Sequence, residues 1–181
     1  MIRAFANDAF SRFITSQKRG LSREEAWKTM AQVAGSWALV GFGPWVAEEL
    51  ASGAPVGRIG PYAAEGWPDF EIGWSIFPEF RGRGYAVEGA AAAIEWVHNA
   101  LGRNHVIHLI HPLNKVSQRV ARALGAELTS EWEWPSSERT EIWTTSWERF
   151  TASSAHSGCH EDRLGGRVAR AAPRSRSALD G

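Results

Sequence analysis

The first clear element of the chain is an amphipathic helix that follows Ser22. Glu25 stands three residues after Ser22, which is the capping-box spacing of a helix start. Apolar residues then recur at helical spacing, at Ala26, Trp27, Met30, Val33, Ala34 and Trp37. We expect this stripe to face the core, and Gly41 to end the helix.

Downstream of residue 44 the spacing of apolar residues shortens, which predicts strands. Residues 45–47 and 56–62 form an expected hairpin around a Ser52-Gly53 turn. The next predicted strand, 69–77, places Phe70, Ile72, Trp74 and Ile76 on one face, and Glu71, Gly73, Ser75 and Phe77 on the other.

The second half of the chain alternates helices and strands. We expect a helix over 86–101, a buried strand over 106–110 and a helix over 115–124, followed by a hairpin of strands 127–134 and 140–150. The second helix should turn Val116, Val120, Ala123 and Leu124 inward. This order predicts an α/β (α+β) domain with a mixed, mainly antiparallel sheet and flanking helices.

The chain of 181 residues fits one domain with a short appendage. From Thr151 onward it is rich in Ser, Ala, Gly and Arg and contains almost no large apolar residue. We therefore predict a domain over residues 1–150 and a disordered tail over 151–181.

Composition and charge exclude several classes of protein. Twenty basic side chains balance twenty acidic ones, which argues against a partner such as nucleic acid or an anionic membrane surface. The chain contains no run of eighteen apolar residues, so we predict no membrane span. The single Cys159 excludes an internal disulfide and fits a cytoplasmic protein. His156, Cys159 and His160 lie in the predicted tail with no second cluster, so we expect no metal site.

The stretch 81–86, RGRGYA, carries the candidate chemistry. It lies between a strand and a helix start, where glycines allow close backbone approach and unpaired N–H groups attract anions. Such a loop binds phosphate or pyrophosphate, although a plain surface turn explains these residues equally well. Neither a P-loop nor a dinucleotide-binding glycine pattern is present.

Three motifs in this order resemble the GNAT superfamily of N-acetyltransferases. Arg81-x-x-Gly84-x-Ala86 is similar to its signature Q/R-x-x-G-x-G/A. The run 71–74, EIGW, and the helix segment 114–120, NKVSQRV, resemble relatives of the ribosomal-protein alanine acetyltransferase type. The likeness covers roughly residues 8–150. Members of this family begin with a strand that this chain lacks or reduces to a stub.

The resemblance implies acetyl-CoA as co-substrate and direct attack by an amine on the thioester. The backbone of Ser75, Ile76 and Phe77 would hold the pantetheine arm, and Asn114 and Ser117 would lie near the sulfur, with Ser117 donating a proton to the thiolate. Ser117 could equally serve only to cap its helix. The pyrophosphate would rest on the loop formed by Arg81, Gly82, Arg83, Gly84, Tyr85 and Ala86.

Glu71 is the candidate general base, since it shares a strand face with Ser75, and a surface carboxylate is the alternative reading. His111, at the end of the following strand, is the rival base. The acceptor is a small-molecule or peptide amine, for which Trp37, Phe42, Trp45 and Trp67 are candidate pocket residues. An acyl-CoA-binding module without turnover is the alternative function, and family habit implies a homodimer.

Overall fold

The computed structural model describes residues 5–11, 13, 19–134, 136 and 138–156. Its helices are α1 (Asp8–Ser11), α2 (Arg23–Val40), α3 (Tyr85–Leu101), α4 (Lys115–Ala123) and α5 (Trp147–His156), with a 3₁₀ turn at Pro78–Phe80. Its strands are β1 (Trp45–Glu48), β2 (Pro55–Tyr62), β3 (Glu71–Ile76), β4 (His105–Ile110), β5 (Glu127–Glu133) and β6 (Arg139–Ser146).

The strands form one six-stranded sheet in the order β1-β2-β3-β4-β6-β5. Every neighbouring pair is antiparallel except β3 and β4, which run parallel. The predicted fold class is therefore confirmed. Helix α3 packs across β2 and β3, and its Ile94 and Val97 join Ile59, Ile72 and Val106 in the main core.

No strand precedes β1 in the described part of the chain, and the N-terminal residues instead build a small aromatic cluster. The Phe10 ring lies 5.6 Å from that of Phe5 and 5.3 Å from that of Phe77. Leu21 and Ala26 complete this buried group. The cluster ties the start of α2 to the end of β3, next to the candidate loop.

Helix α2 begins as predicted but turns a different face toward the sheet. The capping box is formed, because Glu25 N–H donates to Ser22 Oγ and Ser22 N–H donates to the Glu25 carboxylate. The predicted apolar stripe is wrong: Ala26 is buried, whereas Trp27 is 64% and Met30 38% exposed. The inward stripe consists of Glu25, Lys28, Thr29, Gln32 and Val33, which line a cavity. A helix that covers an open cleft can turn polar side chains inward, since they stay in contact with solvent.

Two later elements also differ from the prediction. Helix α4 buries Gln118 and Ala121, while Val116 is 58% exposed. Gln118 tolerates burial because its amide donates to Pro112 O and to the Glu141 carboxylate. Strand β6 ends at Ser146 rather than at residue 150, since Trp147 and Phe150 contact each other at helical spacing within α5.

Helix α5 also continues to His156, beyond the boundary predicted at residue 150. The predicted tail over 157–181 lies outside the described residues. Among the described helices, none is long and apolar enough to cross a membrane.

The capping box gives a direct test of how α2 is anchored. Ser22→Ala removes the acceptor for the Glu25 N–H, and we expect it to lower the free energy of unfolding by about 1 kcal/mol. Ser36→Ala, in the interior of the same helix, is the matched control and should leave stability unchanged or slightly raise it. Urea unfolding of both variants measures this difference, and equal stabilities would contradict the role of the cap.

Candidate active site

The sheet opens between its two parallel strands. Strands β3 and β4 pair at a single register position, Glu71 opposite Ile107. In contrast, β2 pairs with β3 along the whole run from Glu71 to Ile76. Beyond Glu71 the strands β3 and β4 therefore diverge and leave a cleft between them.

Side chains bridge the strands where the backbone ladder stops. His108 Nδ1 of β4 lies 2.7 Å from Ile72 O of β3. The Leu109 N–H of β4 in turn favours the ionised form of the Glu71 carboxylate of β3. His108 thus satisfies a backbone carbonyl that the missing ladder would otherwise leave unpaired.

His108 is a buried and neutral part of this bridge. It is 1% exposed, and its Nε2 lies 2.9 Å from Thr145 Oγ1. Since the Ile72 carbonyl can only accept, Nδ1 carries the proton and Nε2 accepts from Thr145. Burial lowers the pKa of His108 to about 4, against the weaker opposing effect of the bond to Ile72.

Glu71 is a partly buried carboxylate in the wall of the cleft. Desolvation raises its pKa to about 7. The hydrogen bond from Trp67 Nε1, at 2.8 Å, opposes this shift, as do the Leu109 N–H and the positive charge of Arg58. The Trp67 bond occupies one of roughly four acceptor positions on the carboxylate, which leaves room for a further donor.

Aromatic side chains hold Trp67 in place over Glu71. The Trp67 ring packs edge-on against Tyr62 at 4.9 Å and against Trp134 at 5.0 Å. Trp134 is fixed in turn, because its Nε1 donates to Thr140 Oγ1 at 2.9 Å. Packing on both sides restricts the orientation of the indole that binds the carboxylate.

The cleft opens into a cavity of about 770 Å³. Its floor is formed by β2, β3 and the end of β4, and helix α2 covers it from one side. Glu71, Ser75, His111, Asn114 and Ser117, all predicted site residues, line this cavity.

The candidate loop stands at the end of β3 and opens helix α3. Gly82 and Gly84 have φ values of 77° and 87°, which favour glycine. Gly84 is the N-cap of α3 and supplies no side-chain hydrogen bond, so the first-turn N–H groups are left for another acceptor. Uncapped N–H groups at the start of a long helix form an anion site.

The side chains of the loop mainly hold the loop itself. Arg81 Nε donates to Ile76 O at 3.1 Å, and Arg83 approaches Glu49 at 3.6 Å. The buried Tyr85 donates its O–H to the same Glu49 carboxylate. The loop therefore presents its backbone, rather than the Tyr85 side chain, to a ligand.

The backbone register revises the prediction for 75–77. Phe77 N–H donates to Val56 O at 2.9 Å, so Phe77 pairs with β2 and its predicted role in holding the arm is wrong. Hydrogen-bonded and non-bonded pairs alternate in an antiparallel ladder, so Ser75 also directs its backbone groups to β2. The same alternation turns the backbone groups of Trp74 and Ile76 toward the cleft.

At the start of α4, Asn114 is the cap rather than Ser117. Asn114 Oδ1 accepts from Ser117 N–H at 3.2 Å. The alternative of Ser117 as the capping residue is therefore wrong. Within the described chain, the Ser117 hydroxyl makes no hydrogen bond, and it faces the cavity.

The surroundings of His111 weaken it as a base. Its Nδ1 accepts from Leu113 N–H at 3.1 Å, and its Nε2 faces the Glu138 carboxylate at 3.8 Å. A neutral ring with this pattern carries its proton on Nε2. The Nδ1 lone pair is then engaged by the Leu113 N–H, whereas Glu71 retains free acceptor positions.

Most of the aromatic residues predicted to line the acceptor pocket lie outside the cavity. Of its four members, Trp67 lines the cavity, whereas Phe42 packs against Phe70 and Trp45 against Trp96. Trp37 Nε1 points to Pro44 O. Among the cavity residues that sequence reasoning did not single out are Arg58, Tyr62, His108 and Trp134. Strand alternation could have found Arg58 and Tyr62, since they lie an even number of positions apart on β2 and so share one face.

No group of three or more His, Cys, Asp or Glu side chains that could hold a metal ion occurs in the part of the chain that the structure describes. Cys159 and His160, considered above as ligands, lie outside it.

Comparisons with known proteins point to one family. The family model described as "Acetyltransferase (GNAT) domain" matches residues 1–127. Two Bacillus subtilis proteins are similar over shorter stretches. The "Uncharacterized protein YkkB" is 35% identical over 83 residues, which cover 45% of this chain and 48% of that protein. The "Uncharacterized N-acetyltransferase YnaD" is 33% identical over 70 residues, 39% of this chain and 41% of that protein. The matched part thus spans less than half of either relative.

Solved structures agree on the fold. The acetyltransferase from Agrobacterium tumefaciens C58 has a TM-score of 0.65 at 22% identity, covering 77% of this chain and 82% of that one. The ribosomal-protein-S5-alanine acetyltransferase from Vibrio fischeri has a TM-score of 0.61 at 16% identity, covering 80% and 85%. At these identities the likeness shows a shared fold.

The bridge between the strands has a pH-dependent stability. His108 has a folded-state pKa of about 4 and an ordinary pKa of 6.5, so the unfolded chain binds more protons between these values. The contribution of the neutral His108 to the free energy of unfolding is fully present above pH 6.5. It is lost as the pH falls to about 4, an expected decrease of roughly 3 kcal/mol. Glu71, with a raised pKa, changes stability in the opposite direction over an overlapping range.

Comparison with a variant separates the two groups. Because Glu71 is present in both proteins, the difference in free energy of unfolding between the wild type and His108→Gln should decrease by roughly 3 kcal/mol from pH 6.5 to 4. Equal slopes for wild type and His108→Gln would refute the burial of a neutral histidine.

Proposed function

Because the chain belongs to the GNAT acetyltransferase family, we propose that it transfers an acetyl group from acetyl-CoA to a primary amine, with Glu71 as the general base. One observation carries the proposal: the sheet opens next to a partly buried carboxylate whose pKa is raised to about 7. A general base is most effective when its pKa lies near the working pH. A module that only binds acyl-CoA has no need of such a group.

The residues of the chain fit acetyl-CoA. The uncapped first turn of α3 and the backbone of Gly82 to Gly84 would bind the pyrophosphate, since both present N–H groups to an anion. The backbone groups of Trp74 and Ile76 that face the cleft would hold the pantetheine arm as an added strand does. When bound, acetyl-CoA supplies the activated thioester.

The chain then has to deprotonate the amine and orient it. A free acceptor position of Glu71 takes the proton of the substrate ammonium, and the neutral amine nitrogen attacks the carbonyl carbon. The Ile76 N–H would donate to the carbonyl oxygen as it gains negative charge. As the bond between the carbonyl carbon and sulfur breaks, Ser117, whose hydroxyl faces the cavity, would donate its proton to the departing sulfur and regain the proton that the nitrogen loses on forming the amide.

The loop assignment is tested by a pair of variants that differ in charge alone. Asn and Asp both tolerate a positive φ, so Gly84→Asn and Gly84→Asp should fold alike. We expect Gly84→Asp to weaken acetyl-CoA binding at least about tenfold more than Gly84→Asn, because a carboxylate at the helix start repels phosphate. Isothermal titration calorimetry measures both affinities, and equal values would exclude the loop as the anion site.

The role of Glu71 is tested by kinetics. Glu71→Gln keeps an oxygen that can accept from Trp67 but cannot take a proton, so kcat should fall about 10²- to 10⁴-fold with little change in the Kd for acetyl-CoA. Glu138→Gln, which changes another carboxylate of the cavity, is the control and should lower kcat far less. Thiol release from acetyl-CoA with a panel of amines measures both.

The pH dependence of kcat/KM tests the same assignment by the direction of its change. In the wild type, kcat/KM should rise through a pH of about 7 as Glu71 ionises. Trp67→Phe removes a hydrogen bond that favours the carboxylate, so the pKa of Glu71 and this rising limb should move to higher pH. A limb that is unchanged in Trp67→Phe and persists in Glu71→Gln would assign the base to another group, with His111 next to be changed.

A further inference from the structure

Arg58 places a cation on the cavity-facing side of β2. It pairs with Ser75 across the β2–β3 ladder, and Tyr62 pairs with Glu71 farther along. Residues at even spacing share one face of a sheet, so Arg58, Tyr62 and Glu71 lie on the same face. All three line the cavity.

The guanidinium has no anionic partner within the described residues. It makes no hydrogen bond or ion pair there, and its near neighbour is the Phe5 ring, 5.7 Å from Cζ. Arg58 is partly buried, and desolvation lowers its pKa. Removing a cation from water is unfavourable unless an anion compensates, so a ligand that supplies one should bind there.

The other charged groups of the cavity are already engaged. Glu25 forms an ion pair with Arg19 at 2.9 Å, and Lys28 forms one with Glu24 at 2.7 Å. Glu138 faces His111 at 3.8 Å. Arg58 and Glu71 remain as two groups of opposite charge that interact electrostatically without forming an ion pair.

We propose that Arg58 binds a carboxylate of the acceptor, so that the substrate is an amino acid with a free carboxylate rather than a simple amine or a protein N-terminus. This inference rests on the proposed function, because it assigns the amine of the same molecule to Glu71. An amino acid carries one positive and one negative charge, which complement Glu71 and Arg58. Arginine binds carboxylates through parallel N–H donors, which fixes the orientation of the amine as well.

A matched substrate panel tests the assignment. Free L-amino acids and the corresponding L-amino acid amides differ only at the carboxylate and are compared by thiol release from acetyl-CoA. The wild type should prefer the acids, and Arg58→Gln should reduce this preference roughly 10- to 100-fold, mainly through KM. Arg58→Lys should restore part of it, since a point charge replaces the bidentate donor. Lys28→Gln, which removes a positive charge from the rim of the cavity, should retain the preference.

Binding measurements separate this inference from the proposed function. Ligand-detected NMR of each acid and amide pair, in the presence of CoA, reports acceptor binding without turnover. Selective binding of acids that Arg58→Gln abolishes supports the carboxylate site even if no amine is acetylated, and in that case the proposed function alone fails. The inference is overturned if the wild type binds acids and amides equally or binds neither. It is also overturned if Arg58→Gln weakens the binding of acids and amides to the same extent. A weaker Kd of Arg58→Gln for acetyl-CoA, measured by calorimetry, would assign Arg58 to the cofactor and also overturn it.

Discussion

The site depends on the point at which two parallel strands stop pairing. A parallel ladder that continued past Glu71 and Ile107 would use the backbone groups of Trp74 and Ile76 and close the cleft. The strands can separate there because His108 reaches across to the Ile72 carbonyl of the other strand. A buried polar group without a partner destabilises a fold by about 1–3 kcal/mol, so this bond helps to make the opening tolerable.

The same arrangement accounts for the electrostatics of Glu71. A carboxylate in the wall of a cleft loses hydration, which favours the protonated form, whereas the N–H donors of Leu109 and Trp67 and the charge of Arg58 favour the ionised form. Desolvation is the larger effect, and the pKa settles near neutrality. The carboxylate at the opening is therefore also the proposed general base, and the packing of Trp67 between Tyr62 and Trp134 fixes the indole that donates to it.

How much could be predicted from the sequence depends on whether an element is specified locally. The start of α2, the strand with Glu71 and the loop before α3 follow from residues within a few positions of one another, and the structure contains all three. The face of α2 could not be predicted in this way. An apolar stripe indicates the core only when the helix lies on the core, and α2 lies over a cavity whose existence depends on the divergence of β3 and β4, 30 residues or more away. The burial of Gln118 depends in the same way on the distant Glu141.

The two halves of the site differ in what they use to recognise a ligand. The loop and the split strands present backbone N–H groups, whose direction is set by φ, by register and by a helix start, so many side chains there can change without loss of the cradle. The proposed acceptor half would use side chains, above all Arg58, Glu71 and the indole of Trp67, which line the cavity. Backbone recognition explains why a short glycine pattern, together with the motifs at 71–74 and 114–120, could indicate the family. Side-chain recognition explains why the acceptor could be inferred only after the structure had shown which charges of the cavity compensate one another and which do not.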